Sequence, residues 1–313
     1  MLIRKIIRSA LCLLTVILVS GLWNGLAAAE TRIAVLLSSQ QPPFEEALKG
    51  FQQFLGRQNV AVVYDVYPLE DMEDRAGQAI QKIKTQNPAL ILAIGSLATE
   101  SALQEIHNIP VISCMILRQD QIKNSTNATG VFLEFSVKTQ FEWLRRFLPK
   151  VRNIGVIYNA EGNHSKIEEA KEVAEKMGLR IVAQQIDSSQ NLPDALKTLA
   201  NRADVLWGIT DDLVLNPQTA KHILLFSFRN RIPFVGLSSS WVKAGALYSL
   251  DWDCEDIGAQ CGDMALKVLQ GAAVGSIPPA PPRHVRYSLN QKTASHMKIE
   301  IQEALVKGAL SVF

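Results

Sequence analysis

Clustered cysteines, paired histidines and glycine-rich phosphate loops are all missing from this chain of 313 residues. Of four cysteines, three lie beyond the N-terminal segment: Cys114, Cys254 and Cys261. An odd, sparse set excludes a disulfide framework. Cys254 and Cys261 are the local pair, but seven residues of helix separate their Cα atoms by about 10 Å, too far for a bridge. The three thiols are therefore expected to be buried or unreactive. The five histidines (His107, His164, His222, His284 and His296) show no paired ligand spacing, so no metal site is expected. Without a Gly-x-Gly-x-x-Gly or a phosphate-loop lysine, no cofactor is expected either. Gly236-Leu-Ser238-Ser-Ser240 lacks the last glycine of a nucleophile elbow. With no visible catalytic machinery, the chain reads as a protein that is not an enzyme.

A basic excess is missing too. Three of the 32 basic residues, Arg4, Lys5 and Arg8, fall in the first 29 positions, leaving 29 against 30 acidic residues. Nucleic acid is not an expected partner. Behind those three charges residues 10–22 are largely apolar, and Ala27-Ala28-Ala29 follows. That succession is a secretory signal peptide over 1–29, with cleavage expected after Ala29 and a periplasmic destination. Cys12 sits in a poor lipoprotein context, which favours a soluble exported protein. The remaining 284 residues are enough for two lobes with a core each.

What is present points to two such lobes. Residues 31–44, TRIAVLLSSQQPPF, read as a strand, a polar loop and a helix start. Residues 152–165, RNIGVIYNAEGNHS, repeat the pattern halfway down the chain. In the first half, strands are expected at 33–37, 60–66, 89–94 and 110–116, alternating with helices, and residues 120–130 read as polar turn. A helix over 137–148 shows Phe141, Leu144 and Leu148 on one face, and Pro149 stops it. In the second half Ser165 and Glu168 suggest a capping box. Strands follow at 180–186, 204–209, 234–237, 246–250 and 285–289, with helices at 193–200, 218–230, 255–269 and 301–310. Such alternation implies an α/β fold with parallel, doubly wound sheets.

In open sheets of this kind ligands sit beyond the carboxyl ends of the strands, so the loops there hold the candidates. Gly95-Ser96-Leu-Ala-Thr99 joins a strand to a helix N-terminus, where free N–H groups and two hydroxyls suit a ligand carboxylate. The competing reading is an ordinary capped turn. Asp211 follows a strand of the other half and suits a ligand ammonium; as alternatives it caps a helix, or Asp212 is the functional acid. Asn159 and Ser238 are an amide and a hydroxyl able to orient a ligand. Phe44, Tyr158, Trp207, Trp241 and Trp252 lie near strand ends and could sandwich an apolar group, although core packing is the commoner fate of such residues.

Several short motifs, in order, carry a family resemblance. They are Ile94-Gly-Ser-Leu-Ala-Thr99, Thr129-Gly-Val131, Ile154-Gly-Val-Ile-Tyr-Asn159, Ile209-Thr-Asp211, Arg231-Ile-Pro-Phe-Val-Gly-Leu-Ser238, Lys243-Ala-Gly-Ala-Leu247 and Asp256-Ile-Gly-Ala-Gln260. The chain resembles bacterial ABC-transporter substrate-binding proteins of the periplasmic-binding-protein-like I class, nearest the tryptophan-, tyrosine- and phenylalanine-type binders. The resemblance implies two flavodoxin-like lobes joined by three hinge crossings. Lobe one would hold 30–148 plus 252–282, and lobe two 149–251 plus 283–313. It implies capture of a small molecule, an amino acid of the aromatic kind, by hinge closure and delivery to an ABC permease. It also implies a ligand held by Ser38, Ser96 and Thr99 from lobe one and by Asn159, Asp211 and Ser238 from lobe two. Asp253 falls at a crossing, and a monomer is expected. The loop Ala160-Glu-Gly-Asn-His-Ser165 departs from the family's usual proline followed by Asn-Ser, which leaves the ligand's identity open. A sensory module presenting its ligand to a membrane receptor is the alternative.

Overall fold

The computed structural model describes residues 31–117, 119–123 and 125–313. The expected signal peptide lies outside the described residues.

Strands β1 (Thr31–Leu37), β2 (Val62–Pro68), β3 (Leu90–Ile94), β4 (Val111–Ile116) and β5 (Ala128–Phe132) form a parallel sheet in the order β2-β1-β3-β4-β5. β3 and β4 are buried along their whole length, as continuous apolar runs require when both faces are covered. On one face α1 (Pro42–Arg57) lays down Ala47, Phe51 and Leu55, a stripe at four-residue spacing. On the other, α2 (Glu73–Gln86) and α3 (Ser96–Glu105) pack Ala76, Ile80, Ile83, Ala98 and Ala102. A short α4 (Asp120–Lys123) precedes β5.

The second sheet holds β6 (Asn153–Tyr158), β7 (Arg180–Gln185), β8 (Val205–Trp207), β9 (Phe234–Gly236), β10 (Tyr248–Trp252), β11 (Val285–Leu289) and β12 (Ser311–Val312). Their order is β12-β11-β10-β9-β8-β6-β7, parallel throughout except for the β10–β11 pair. α5 (Val137–Phe147) and α6 (Ala160–Lys176) cover one face. α7 (Leu192–Leu199), α8 (Pro217–Asn230) and α9 (Ser239–Ala244) cover the other.

The chain then returns. α10 (Cys254–Leu269) packs on the first sheet against α1, at a distance only glycine permits: a Cβ on Gly50 would stand 1.9 Å from the Glu255 carbonyl oxygen, and one on Gly258 1.8 Å from that of Ala47. The proline-rich stretch after it runs along β5, with Ala280 N–H donating to Gly130 O at 3.0 Å and Ala280 O accepting from Phe132 N–H at 3.2 Å. β11 rejoins the second sheet, and α11 (Gln291–His296) and α12 (Glu303–Lys307) lead to β12. Three crossings therefore connect the sheets: residues 133–136, the β10–α10 junction, and residues 281–284.

Several expectations need correction. Residues 120–130 hold α4 and the buried β5 rather than a turn; Gly130 and Thr129 weaken the strand signal, yet Gly130 is needed because a Cβ there would meet Ser113 O at 1.9 Å. The first crossing precedes α5 instead of following it, since Val137, Phe141, Leu144 and Phe147 lie in the second sheet's core. The helix after β6 is capped by Asn159, whose side chain accepts from Glu161 N–H, not by a Ser165 box. Gly162, at φ +82°, then kinks it. The strand expected at 246–250 is shifted to β10 behind the unforeseen α9, and the helix expected at 301–310 shortens to α12, with α11 before it and β12 after it unforeseen.

Candidate ligand-binding cleft

Between the carboxyl ends of the two sheets lies a cleft of about 1080 Å³. Glu100, Leu117 and Gln121 line it from the first sheet's side, and Leu133, Glu134 and Phe135 from the first crossing. The second sheet contributes Asn159, residues 207–213, Tyr248 and Trp252, among others.

Two aromatic walls are held by hydrogen bonds. Trp207 ends β8 with its Nε1–H on Gln140 Oε1 at 2.8 Å, while Gln140 Nε2–H donates to Phe135 O, also at 2.8 Å. α5 thus orients one wall by a side chain that itself faces the cleft. Trp252 ends β10 with its Nε1–H on Leu133 O at 2.9 Å. Phe141 meets Trp207 edge-on, ring centroids 5.1 Å apart, and Phe147 stacks on Tyr248 at 4.1 Å.

Asp211 sits in the cleft's lining but is only 6% exposed. Its Oδ2 accepts from Asn159 N–H at 2.6 Å and Asn163 Nδ2–H at 3.0 Å, and its Oδ1 from Leu213 and Val214 N–H at 3.1 Å each. A carboxylate has about four acceptor positions, and here four donors of the same lobe use them. The expected free acceptor for a ligand ammonium is instead a pin between the loops after β6 and β8, closest to the capping alternative. Asp212 is exposed at the same wall.

The remaining expected residues are placed differently. Ser38 is buried, its Oγ accepting from Ala98 N–H at 3.0 Å in the first turn of α3. Ser96 Oγ–H reaches Gln121 Oε1 at 3.5 Å. Thr99 is fully buried and its Oγ1 has no partner. Phe44 packs over Gly95, where a Cβ would stand 2.7 Å from its ring. Ser238 caps α9 through its carbonyl, and Trp241 packs edge-on against Phe234 on the second sheet's far face, so it faces the core. Asp253 caps α10, accepting from Asp256 N–H at 3.0 Å, and reaches Arg286 Nη1 at 3.6 Å. Of the nine residues expected to bind ligand, Asn159 and Asp211 line the cleft, joined by Trp207 and Trp252 from the aromatic set. Phe135, Gln140 and Tyr248 were missed: the first two follow the unrecognised β5, and Tyr248 reads as one more apolar strand residue.

Electrostatically the cleft is acidic. Glu100, Glu134, Glu161, Glu169, Asp211 and Asp212 line it, against one lysine among the described residues, Lys166, which pairs with Glu134. Clefts lined by one sign of charge concentrate the opposite one. Beside the cleft, burial raises the Asp251 carboxyl against the pull of a 2.6 Å bond from Ser288 Oγ. Cys114 and Cys261 are buried free thiols, and burial pushes that of Cys254 up to about 11. Among the described residues no group of three or more His, Cys, Asp or Glu is placed to hold a metal ion, and no helix is long and apolar enough to cross a membrane.

Comparison with known proteins bears on this geometry. A tyrosine-binding protein of Clostridioides difficile is 24% identical over 274 residues, covering 83% of this chain and 79% of that one. Among solved structures, an ABC domain from Streptococcus pneumonia in complex with L-Trp matches with a TM-score of 0.56 at 22% identity, covering 91% of this chain and 100% of that one. The ligand-free, open structure of a substrate-binding protein with adhesive properties from Clostridium difficile matches with a TM-score of 0.74, also at 22% identity, covering 90% and 99%. The fold is that of the type I periplasmic binding proteins. The model of the family described as ABC transporter substrate binding protein matches residues 32–313, both sheets and the crossings between them included, and the chain belongs to that family.

Proposed function

We propose that this protein is the exported solute-binding component of an ABC importer and that it captures an amino acid, preferably an aromatic one, by closing its two lobes. The observation that carries this reading is the cleft at the carboxyl ends of both sheets. Its tryptophan walls suit an aromatic side chain, and its acidic lining suits an ammonium group. The tyrosine-binding relative and the L-Trp complex support the same class of ligand. A ligand touching both lobes favours the closed state by its differential affinity for it. Export through residues 1–29, action as a monomer and hand-over to a permease belong to the same reading.

The test is a thermal-shift screen of residues 30–313 against amino acids, purines, small sugars and carboxylates, followed by calorimetry. A ligand at 100 times its dissociation constant adds about 2.7 kcal/mol of stability. Shifts with L-tyrosine, L-tryptophan or L-phenylalanine are expected. Shifts confined to sugars or purines would overturn the amino acid reading.

A further inference from the structure

Trp252 stands where the three crossings meet. It is the last residue of β10 and leads directly into the second crossing. Its indole N–H donates to Leu133 O, at the start of the first crossing, at 2.9 Å across 119 positions of sequence. In the antiparallel ladder it is registered with Val285, the first residue after the third crossing. The same side chain lines the cleft and is 38% exposed there, beside Leu133.

Around it the hinge is tied by charge. Asp253 reaches Arg286, and Asp256 takes Arg283 through Nη2 at 2.7 Å and Nε at 3.0 Å, with His284 Nδ1 at 3.2 Å. Those contacts join the second crossing to the third. The indole bond of Trp252 adds the first to the second, and among these groups only Trp252 lines the cleft.

We propose that Trp252 is the residue by which the hinge senses the ligand, its ring covering an apolar or aromatic part of the ligand while its N–H holds the crossings in register. Taking the exposed indole face out of water when the lobes close over a ligand favours the closed form, and an indole held at its polar edge is already oriented for that contact. The proposal rests on the cleft being the solute site, but its hinge half can be tested without any ligand.

Amide hydrogen exchange of ligand-free residues 30–313 is compared between wild type and Trp252→Phe, which keeps a ring and removes the N–H. Loss of one such bond predicts exchange about three- to tenfold faster at residues 131–137, 250–257 and 281–288, with β1 and β6 unchanged. Unchanged exchange at 131–137, or uniform acceleration across both sheets, overturns the tie. Calorimetry with L-tryptophan and L-tyrosine tests the ring: Trp252→Ala binds about tenfold more weakly or worse, and Trp252→Phe, with a smaller ring and no N–H to orient it, falls between Trp252→Ala and wild type. Wild-type affinity in Trp252→Ala overturns the contact. If neither amino acid binds the wild type, the amino acid reading fails while the exchange experiment still decides the hinge.

Discussion

At the scale of single residues, Asp211 decides how the second lobe presents its loops. Its position after a strand and its charge are apparent in the chain's order, but its partners are not: Asn159 and Asn163 lie about 50 positions earlier. Removing the carboxylate leaves those donors and the Leu213 and Val214 amides without acceptors, in a place where Asp211 itself is nearly buried. Unpaired buried donors cost about 1–3 kcal/mol each. Three of the four bonds are only part-buried, so water can replace them in part, and Asp211→Ala is expected to destabilise the ligand-free protein by about 3 kcal/mol, read from denaturant unfolding. A midpoint shifted by less than about 0.5 kcal/mol would show the carboxylate to be free for a ligand after all. Thr99 makes the complementary case: a residue expected to bind ligand has an unpartnered hydroxyl, but it is fully buried inside α3's packing.

At the scale of elements, the joint between α1 and α10 completes the first lobe from two distant pieces of chain. The helices approach until Gly50 and Gly258 touch the opposite backbone. Gly258→Ala would drive a Cβ into the Ala47 carbonyl, forcing the helices apart at a cost of about 1–3 kcal/mol or more. Gly77→Ala on α2 is the control, because nothing lies within 4 Å of its Cβ position. It is expected to be neutral or to stabilise by roughly 0.5–1 kcal/mol through helix propensity. Equal effects in urea unfolding would show that the close approach carries no weight. α5 makes the same point about partners: its apolar face is legible at helical spacing, but that face belongs to the second sheet, where Phe141 and Phe147 meet Trp207 and Tyr248.

At the scale of the molecule, two sheets with separate cores are joined by three crossings. Such an arrangement resists deformation within each lobe and yields between them, so ligand binding is expected to act as a rigid-body closure. Small-angle scattering of residues 30–313 should show a smaller radius of gyration with saturating ligand than without. Binding with an unchanged radius would mean capture without closure, and the hinge reading would fall.

The sequence by itself determined the two successive α/β starts, the buried central strands and most helix faces. Those signals are local, arising from apolar spacing over two to four residues and from glycine and proline at the breaks. It was also enough to point to the loops after the strands, where Asn159 and Asp211 do line the cleft. Only the tertiary structure decided which sheet receives α5, where the acceptors of Asp211 are used, and that Trp252 reaches Leu133. Each depends on residues tens to more than a hundred positions apart, brought together by sheet order and helix packing, for which no short-range pattern exists to be read.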